Sequence, residues 1–337
     1  MDDIDKLIHD HGMQQHATQL NWHGLLVDLR FNVPEHQATR YFVAQSHEQV
    51  GTEKFRVDCI DLDATTVETE QLDSLADTTY RGQRFRTGYY LTHHFGKPAW
   101  IISRGRHLAI FGRKLEKIVW PYVVKYLLTV WGAETGALHL KAAGFTDDSD
   151  QATLLFGRGG GGKSVLLTQA CLSGMRYLTN THALARGNTV YGVPSVMRVR
   201  DDLCFSSLIL EHKLPPHLEP GEYRLDPTQV FDKTSASGRV RNLCIVNYQP
   251  DRPQGIQQVS PSRFEPFIEQ FGWAVTAYGL KDDLLAYFDG EIAAFTHTCE
   301  QMRNHLSELV HGSRLFVINA DMLDPRSRDE VLSVLAG

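Results

Sequence analysis

The chain of 337 residues carries 34 Lys+Arg against 40 Asp+Glu, a formal charge of −6 with histidine neutral, and is 42% hydrophobic, 10% aromatic and 22% charged. That length predicts two or three structural units with at least one large core, and the composition excludes disorder, collagen and coiled coil as the main architecture. No run approaches eighteen consecutive apolar residues, and MDDIDKLIHDHGMQQHATQLNWHG at the start lacks a cationic and then an apolar region, so neither a membrane span nor a signal peptide is expected and the protein is read as cytoplasmic.

Charge is uneven along the chain. Residues 1–80 hold fifteen Asp/Glu and five Lys/Arg, whereas 81–125 hold ten Lys/Arg against Glu116 alone. A solvated basic face paired with the acidic segment before it is the simplest account, and no helix-turn-helix, RNA-recognition or zinc-finger pattern accompanies it, so nucleic acid is not an expected partner. Cys59, Cys171, Cys204, Cys244 and Cys299 are far apart with no C-x-x-C pair, and no H-E-x-x-H occurs. They read as reduced, mostly buried thiols, and no dedicated metal cage is expected.

In chain order, short segments between Trp22 and Gly112 (HGLLVDLRF, RYFVAQS, FRVDCIDL, GYYLTHHF, AWIISRG, HLAIFG) read as strands of a mainly β or α+β lobe over 1–114. Leu115, Ile118, Val119, Tyr122, Val123, Tyr126, Leu127, Val130 and Trp131 recur at helical spacing, which predicts a connecting helix over 115–134 with a kink or late start at Pro121. The rest, 135–337, is a second domain. In it GALHLKAAGF reads as a strand, ATLLF as a buried strand and VLLTQACLSG as a helix capped by Gly174. Strands follow around MRYLTN, NTVYG and VMRVR, and the last third mixes strands (RNLCIVNY, RLFVIN) with helical stretches (PSRFEPFIEQFG and the segment from DDLLAYF to LSELV).

Between ATLLF and the helix lies Gly157-Arg158-Gly159-Gly160-Gly161-Gly162-Lys163-Ser164, which satisfies G-x-x-x-x-G-K-[ST] at every fixed position. A loop wrapped closely around a polyphosphate leaves no room for side chains, so backbone N–H groups and a helix N-terminus face the charge, and glycine supplies both clearance and left-handed torsions. Lys163 would reach the β- and γ-phosphates and the Ser164 hydroxyl would ligate Mg²⁺. An accidental match in a chain of this composition has odds of about one in a hundred, and a merely structural turn leaves four consecutive glycines unexplained. N-K-x-D and L-S-G-G-Q are absent, which speaks against a GTPase and an ABC ATPase. Leu315 to Asp321 is the best Walker-B-like string, but Asn319-Ala320 intervene before the carboxylate, so it reads as a core strand ending in a turn.

LHLKAAGF, ATLLFGRGGGGKSVLLTQACLSGMRYLTNTHAL and VYGVPSVMRVR, with Ser237-Gly238-Arg239-Val240-Arg241-Asn242-Leu243 further on, resemble the catalytic core of the HPr serine kinase/phosphorylase family and its small relatives, among them kinases of lasso-peptide precursors. The resemblance covers about residues 135–250. It implies an α/β (α+β) fold, a P-loop mixed sheet of the HPr kinase/PEP carboxykinase type with a smaller N-terminal lobe. It also implies that an arginine, Arg239 or Arg241, serves the phosphoryl site. The chain departs from the family where an aspartate pair is expected, reading Leu178-Thr179-Asn180-Thr181-His182. Asn180 can offer Mg²⁺ a carbonyl oxygen but cannot be a base. His182 or His139 is the candidate base, each weighed against a plain structural role, and Lys141, on the same strand face as His139, is the alternative occupant of the family's histidine position.

The expected function is ATP- and Mg²⁺-dependent phosphoryl transfer to a hydroxyl of a peptide, protein or small metabolite. Residues 157–163 would hold the nucleotide, Ser164 and Asn180 the metal, and His182, His139, Lys141, Arg239 and Arg241 are the catalytic candidates. The alternative is a degenerate nucleotide-binding sensor or partner protein without turnover; carboxylate activation before ligation ranks third. The N-terminal lobe would present the acceptor or contact another copy in a homo-oligomer.

Overall fold

The structure is a computed structural model that describes residues 3–11, 16–43, 53–74, 79–81 and 99–337. It is a mixed α/β chain in two compact units, Met1–Val124 and Lys125–Gly337.

The first unit contains α1 (Asp3–Asp10), β1 (His16–Trp22), β2 (Leu25–Phe31), β3 (Glu53–Asp61), α2 (Thr69–Ser74), β4 (Thr79–Arg81), β5 (Trp100–Arg104) and β6 (His107–Gly112). The sheet order is β1-β2-β3-β6-β5-β4, with β3 parallel to both neighbours. The β1–β2 hairpin turns at His23-Gly24, both at positive φ, the torsions a two-residue turn needs to match strand twist. Leu25, Val27, Leu29 and Phe31 are buried, and so is Asp58, whose carboxylate meets Arg56 Nε at 2.8 Å and His107 Nε2 at 2.5 Å. The expected strand RYFVAQS differs. Gln37–Tyr41 is a 3₁₀ turn because the His36 imidazole accepts a hydrogen bond from the Ala38 N–H and offers the backbone a local partner in place of a ladder. Its remainder from residue 44, the expected strand GYYLTHHF and most of the basic run lie outside the described residues.

The expected helix over 115–134 is broken. Leu115–Lys117 is a 3₁₀ turn and Val119–Val124 is π-helical before α3 (Lys125–Thr135) begins. Pro121 has no N–H to donate, and the Tyr122 and Val123 amides both reach Ile118 O, at 2.9 and 3.2 Å, which widens the turn.

In the second unit α3 is followed by β7 (Leu138–Lys141), β8 (Ala143–Thr146), β9 (Gln151–Phe156), α4 (Lys163–Leu172), β10 (Arg176–Thr179), β11 (His182–Arg186), β12 (Thr189–Gly192), β13 (Met197–Arg200), α5 (Ser206–Glu211), β14 (Glu222–Leu225), α6 (Pro227–Val230), β15 (Ser237–Val246), β16 (Gly255–Gln258), α7 (Pro261–Phe271), α8 (Ala274–Ala277), α9 (Lys281–Tyr287), α10 (Ile292–His311), β17 (Arg314–Asn319) and α11 (Pro325–Ala336). The sheet runs β10-β8-β9-β15-β12-β11-β7, with β17 parallel to β15 and β16 beyond it; β13 and β14 pair separately. Only Ala142 separates β7 from β8, and only Asn180-Thr181 separates β10 from β11. The two ends of the path are therefore parts of the same two bent strands, and the sheet curls back on itself. Gly192 sits at the tight point, where a Cβ would lie 2.0 Å from Leu178 O.

Side chains alternate across β15. Cys244 and Val246 pack with Leu166, Leu167, Leu208 and Leu332 on one face, whereas Leu243 and Ile245 pack with Phe264, Ile268, Leu306 and Val310 on the other. Helices thus cover both faces, and each fully buried Leu or Phe contributes roughly 1.5–3 kcal/mol. The long helical text near the C-terminus is two helices, α9 and α10, because Asp289 and Gly290 take positive φ between them.

Candidate functional site

The glycine-rich segment joins β9 to α4, and its torsions explain its composition. Gly157, Gly160 and Gly162 have φ of 147°, 75° and 93°. Gly157 passes so close to β15 that a Cβ would lie 2.4 Å from Val246 O, while Gly159 and Gly160 at the crest have nothing within 4 Å of a Cβ. Lys163 folds back over the loop and donates from Nζ to Gly157 O and Arg158 O, both at 2.8 Å. Burial, with the charge of Lys141 adding, lowers its pKa to about 8. Ser164 is exposed in the first turn of α4. The helix ends as its text suggests, with Gly174 at φ 98° and the Met175 N–H returning to Ala170 O.

Asn180 follows β10 at the same edge of the sheet as the loop, since β10 and β9 both run antiparallel to β8. Its side chain is already engaged. Oδ1 accepts from Ser195 Oγ at 2.8 Å and Thr181 Oγ1 at 3.1 Å, and Nδ2 donates to Val196 O at 3.2 Å. A metal at this oxygen has to displace two hydroxyl donors, so the residue acts as a brace for the turn between β10 and β11.

His139 and His182 are brought together but sealed, at 1% and 0% exposure. His139 Nδ1 meets Thr129 Oγ1 at 2.8 Å, its Nε2 meets His182 Nδ1 at 3.1 Å, and Tyr278 Oη lies 3.4 Å from that same His182 nitrogen. Desolvation first, then the charge of Lys125, lowers the His139 pKa to about 3, and desolvation carries His182 well below its ordinary value. An imidazole so weakly basic is a poor proton acceptor near pH 7, and neither ring has an open face for an acceptor hydroxyl.

The two arginines lie toward the opposite edge of the sheet from the loop. β15 runs parallel to β9 with Arg239 opposite Gln151, at the start of both strands, while the loop follows their far ends. Six residues of strand place Arg239 roughly 20 Å from the loop. Arg241 donates to Ala336 O at 3.0 Å and Gly337 O at 2.6 Å, so its charge closes the C-terminal end of α11.

Lys141 is at the centre. It stands at the end of β7 opposite His182, near Lys163, with Nζ 5.3 Å from the Tyr278 ring centroid; Lys125 Nζ lies 4.2 Å from the same centroid. Burial, with Lys141's charge adding, lowers the Lys125 pKa to about 7. Lys125 and Tyr278 have no motif to mark them in sequence. A further residue at this edge, Asp321, follows β17 beside Tyr248, whose Cβ would lie 3.3 Å from a Cβ at Gly162, and its Oδ1 accepts from the Leu323 N–H at 2.9 Å. The Walker-B-like string did contain that carboxylate. The other downstream acids are engaged elsewhere: Asp202 accepts from the Cys204 and Phe205 amides and Asp201 from Ser206 Oγ.

No protein-family model matches the chain, and no curated protein does. Among solved structures it is similar to the Hpr(Ser) kinase/phosphatase from Coxiella burnetii, at 12% identity and a TM-score of 0.23, over 45% of this chain and 95% of that one. This is a distant structural similarity only. Among the described residues no helix is long and apolar enough to cross a membrane.

Proposed function

We propose that the second unit binds a nucleoside triphosphate at Gly157–Ser164 and transfers its terminal phosphoryl group to a hydroxyl of a peptide, protein or small-metabolite acceptor. The observation that carries this reading is the loop itself. A sequence that fits G-x-x-x-x-G-K-[ST] folds as strand, loop and helix, with its crest open and its lysine in reach of the loop interior. Amides of 157–162 would enclose the phosphates, and Lys163 would exchange its two carbonyl partners for phosphate oxygens. Mg²⁺, when bound with the nucleotide, would neutralise charge on the transferred group. The exposed Ser164 hydroxyl and the second oxygen of the Asp321 carboxylate, whose Oδ1 already accepts from the Leu323 N–H, are the donors that fit it, a hard cation taking oxygen ligands, whereas the one side-chain oxygen of Asn180 holds two hydroxyls. Lysines rather than Arg239 or Arg241 would stabilise charge developing on the phosphoryl group.

The alternative, a nucleotide-binding sensor or partner protein without turnover, is favoured by one observation: the two histidines nearest the site are neutral, sealed and weakly basic. ATP with Mg²⁺ is expected to raise the melting temperature of the wild type and not of Lys163→Ala. An equal rise in both refutes the loop assignment. Labelled γ-phosphate appearing on an acceptor then separates kinase from sensor.

A further inference from the structure

Three ammonium groups of the second unit stand at one edge of the sheet: Lys141 ends β7 two residues before Ala143, which pairs with Leu155, the residue two before Gly157 at the root of the loop. Lys163 comes from the loop, Lys141 from the end of β7 and Lys125 from the start of α3, and the Tyr278 ring holds the last two, 5.3 and 4.2 Å from its centroid. Lys141 lies close enough to both others for its charge to lower their pKa values. Among the described residues no carboxylate pairs with Lys141 or Lys163. Like charges in a partly desolvated place repel strongly, and the arrangement gains most when an anion joins it.

We propose that Lys141 is a direct ligand of the terminal phosphate of the bound nucleotide, facing Lys163 across it, with Lys125 and Tyr278 as the cationic wall behind. The proposal rests on the reading of Gly157–Ser164 as a nucleotide loop and deepens it. The loop amides enclose the inner phosphates, and a lysine of this motif serves the β- and γ-positions. An ammonium that shares that lysine's surroundings from another strand, outside the loop, serves the end of the phosphate chain. The site therefore distinguishes triphosphate from diphosphate through Lys141, with only Lys163 common to both.

The test is calorimetric titration of the full chain with Mg-ATP and Mg-ADP. The wild type is expected to bind ATP at least tenfold more tightly than ADP. Lys141→Met is expected to weaken ATP tenfold or more and ADP less than twofold, Lys141→Arg to recover part of the loss, and Lys163→Ala to weaken both. If Lys141→Met weakens both nucleotides equally or neither, while Lys163→Ala weakens both, the proposal fails and the loop reading stands. If Lys163→Ala changes nothing, both fail together. A measurement on the wild type covers the case of a variant that does not fold. Lys141 acetylation by a lysine-reactive reagent, read by mass spectrometry, is expected to be suppressed by ATP and not by ADP; suppression by neither or by both equally overturns the proposal.

Discussion

Lowering the pH is expected to unlock the second unit at His139. The ordinary imidazole titrates near 6.5, and this one, fully buried between Thr129, His182 and the charge of Lys125, titrates at about 3. A group whose pKa is lower in the folded state contributes stability that is complete above 6.5 and is lost as pH falls toward 3. At pH 4.5 the unfolded imidazole has taken up its proton and the folded one has not. The two pH units below 6.5, at about 1.4 kcal/mol each, withdraw roughly 3 kcal/mol, a large share of a typical 5–15 kcal/mol stability. His182 pulls in the same direction. The assay is urea unfolding of wild type and His139→Gln at pH 7.5 and 4.5, read by hydrogen exchange of peptides spanning β7 and β11 so that the second unit reports alone. Glutamine keeps hydrogen-bonding capacity and does not titrate. It is expected to cost stability at pH 7.5 and to recover about 3 kcal/mol relative to wild type at 4.5. A wild-type-to-variant difference that is the same at both values refutes the buried-neutral assignment.

The glycines of the loop are expected to separate stability from binding. Gly157→Ala forces a Cβ to within 2.4 Å of Val246 O at φ 147° and is expected to lower the melting temperature by several degrees, whereas Gly159→Ala meets nothing within 4 Å and is expected to change stability by less than about 1 kcal/mol while weakening nucleotide binding. Melting curves with and without Mg-ATP check both. Asn242 is buried and donates to Thr153 Oγ1 and Leu335 O, each at 2.9 Å, so Asn242→Ala leaves two acceptors without their donor and is expected to cost about 1–3 kcal/mol and loosen α11, measured by denaturant unfolding and by hydrogen exchange at 325–336.

What sequence could reveal here follows the range of the interaction. The strand–loop–helix around Gly157–Ser164 is legible because its causes are local: a buried apolar run, glycine torsions and a Gly174 terminus. The hairpin turning at His23-Gly24 is local too, yet β1 escaped because HATQLNW is polar on its outer face, with only Leu20 and Trp22 buried. β11 escaped because HALAR is short and buried at four of its five positions, so no alternation marks it, although its hairpin partner β12 follows directly after Gly187-Asn188. The arginines show the same limit from the other side. Arg239 and Arg241 sit on a strand that also touches the loop, but only the parallel register with β9 reveals that they occupy its opposite end. Asn180 lies at the loop's edge of the sheet, while the hydroxyls of Ser195 and Thr181 that engage its oxygen come from spacing no motif records.

Asn180 and Thr181 are uncharged and stand at the same edge of the sheet as the loop and the end of β7 that carries Lys141. With no carboxylate among the described residues paired to Lys141 or Lys163, the two ammonium groups repel each other. Such a cluster gains most from the most highly charged anion, which on the proposed nucleotide reading is the triphosphate. Strong holding of the ground state does not by itself accelerate transfer, because only interactions that tighten in the transition state do so. Lys141 contributes to catalysis to the extent that the phosphate oxygens it faces gain charge as transfer proceeds. If they do not, the same geometry makes a sensor that distinguishes ATP from ADP. The kinase and sensor readings therefore share one binding signature and part at Lys141, where replacement depresses turnover beyond its effect on affinity in a kinase and affinity alone in a sensor.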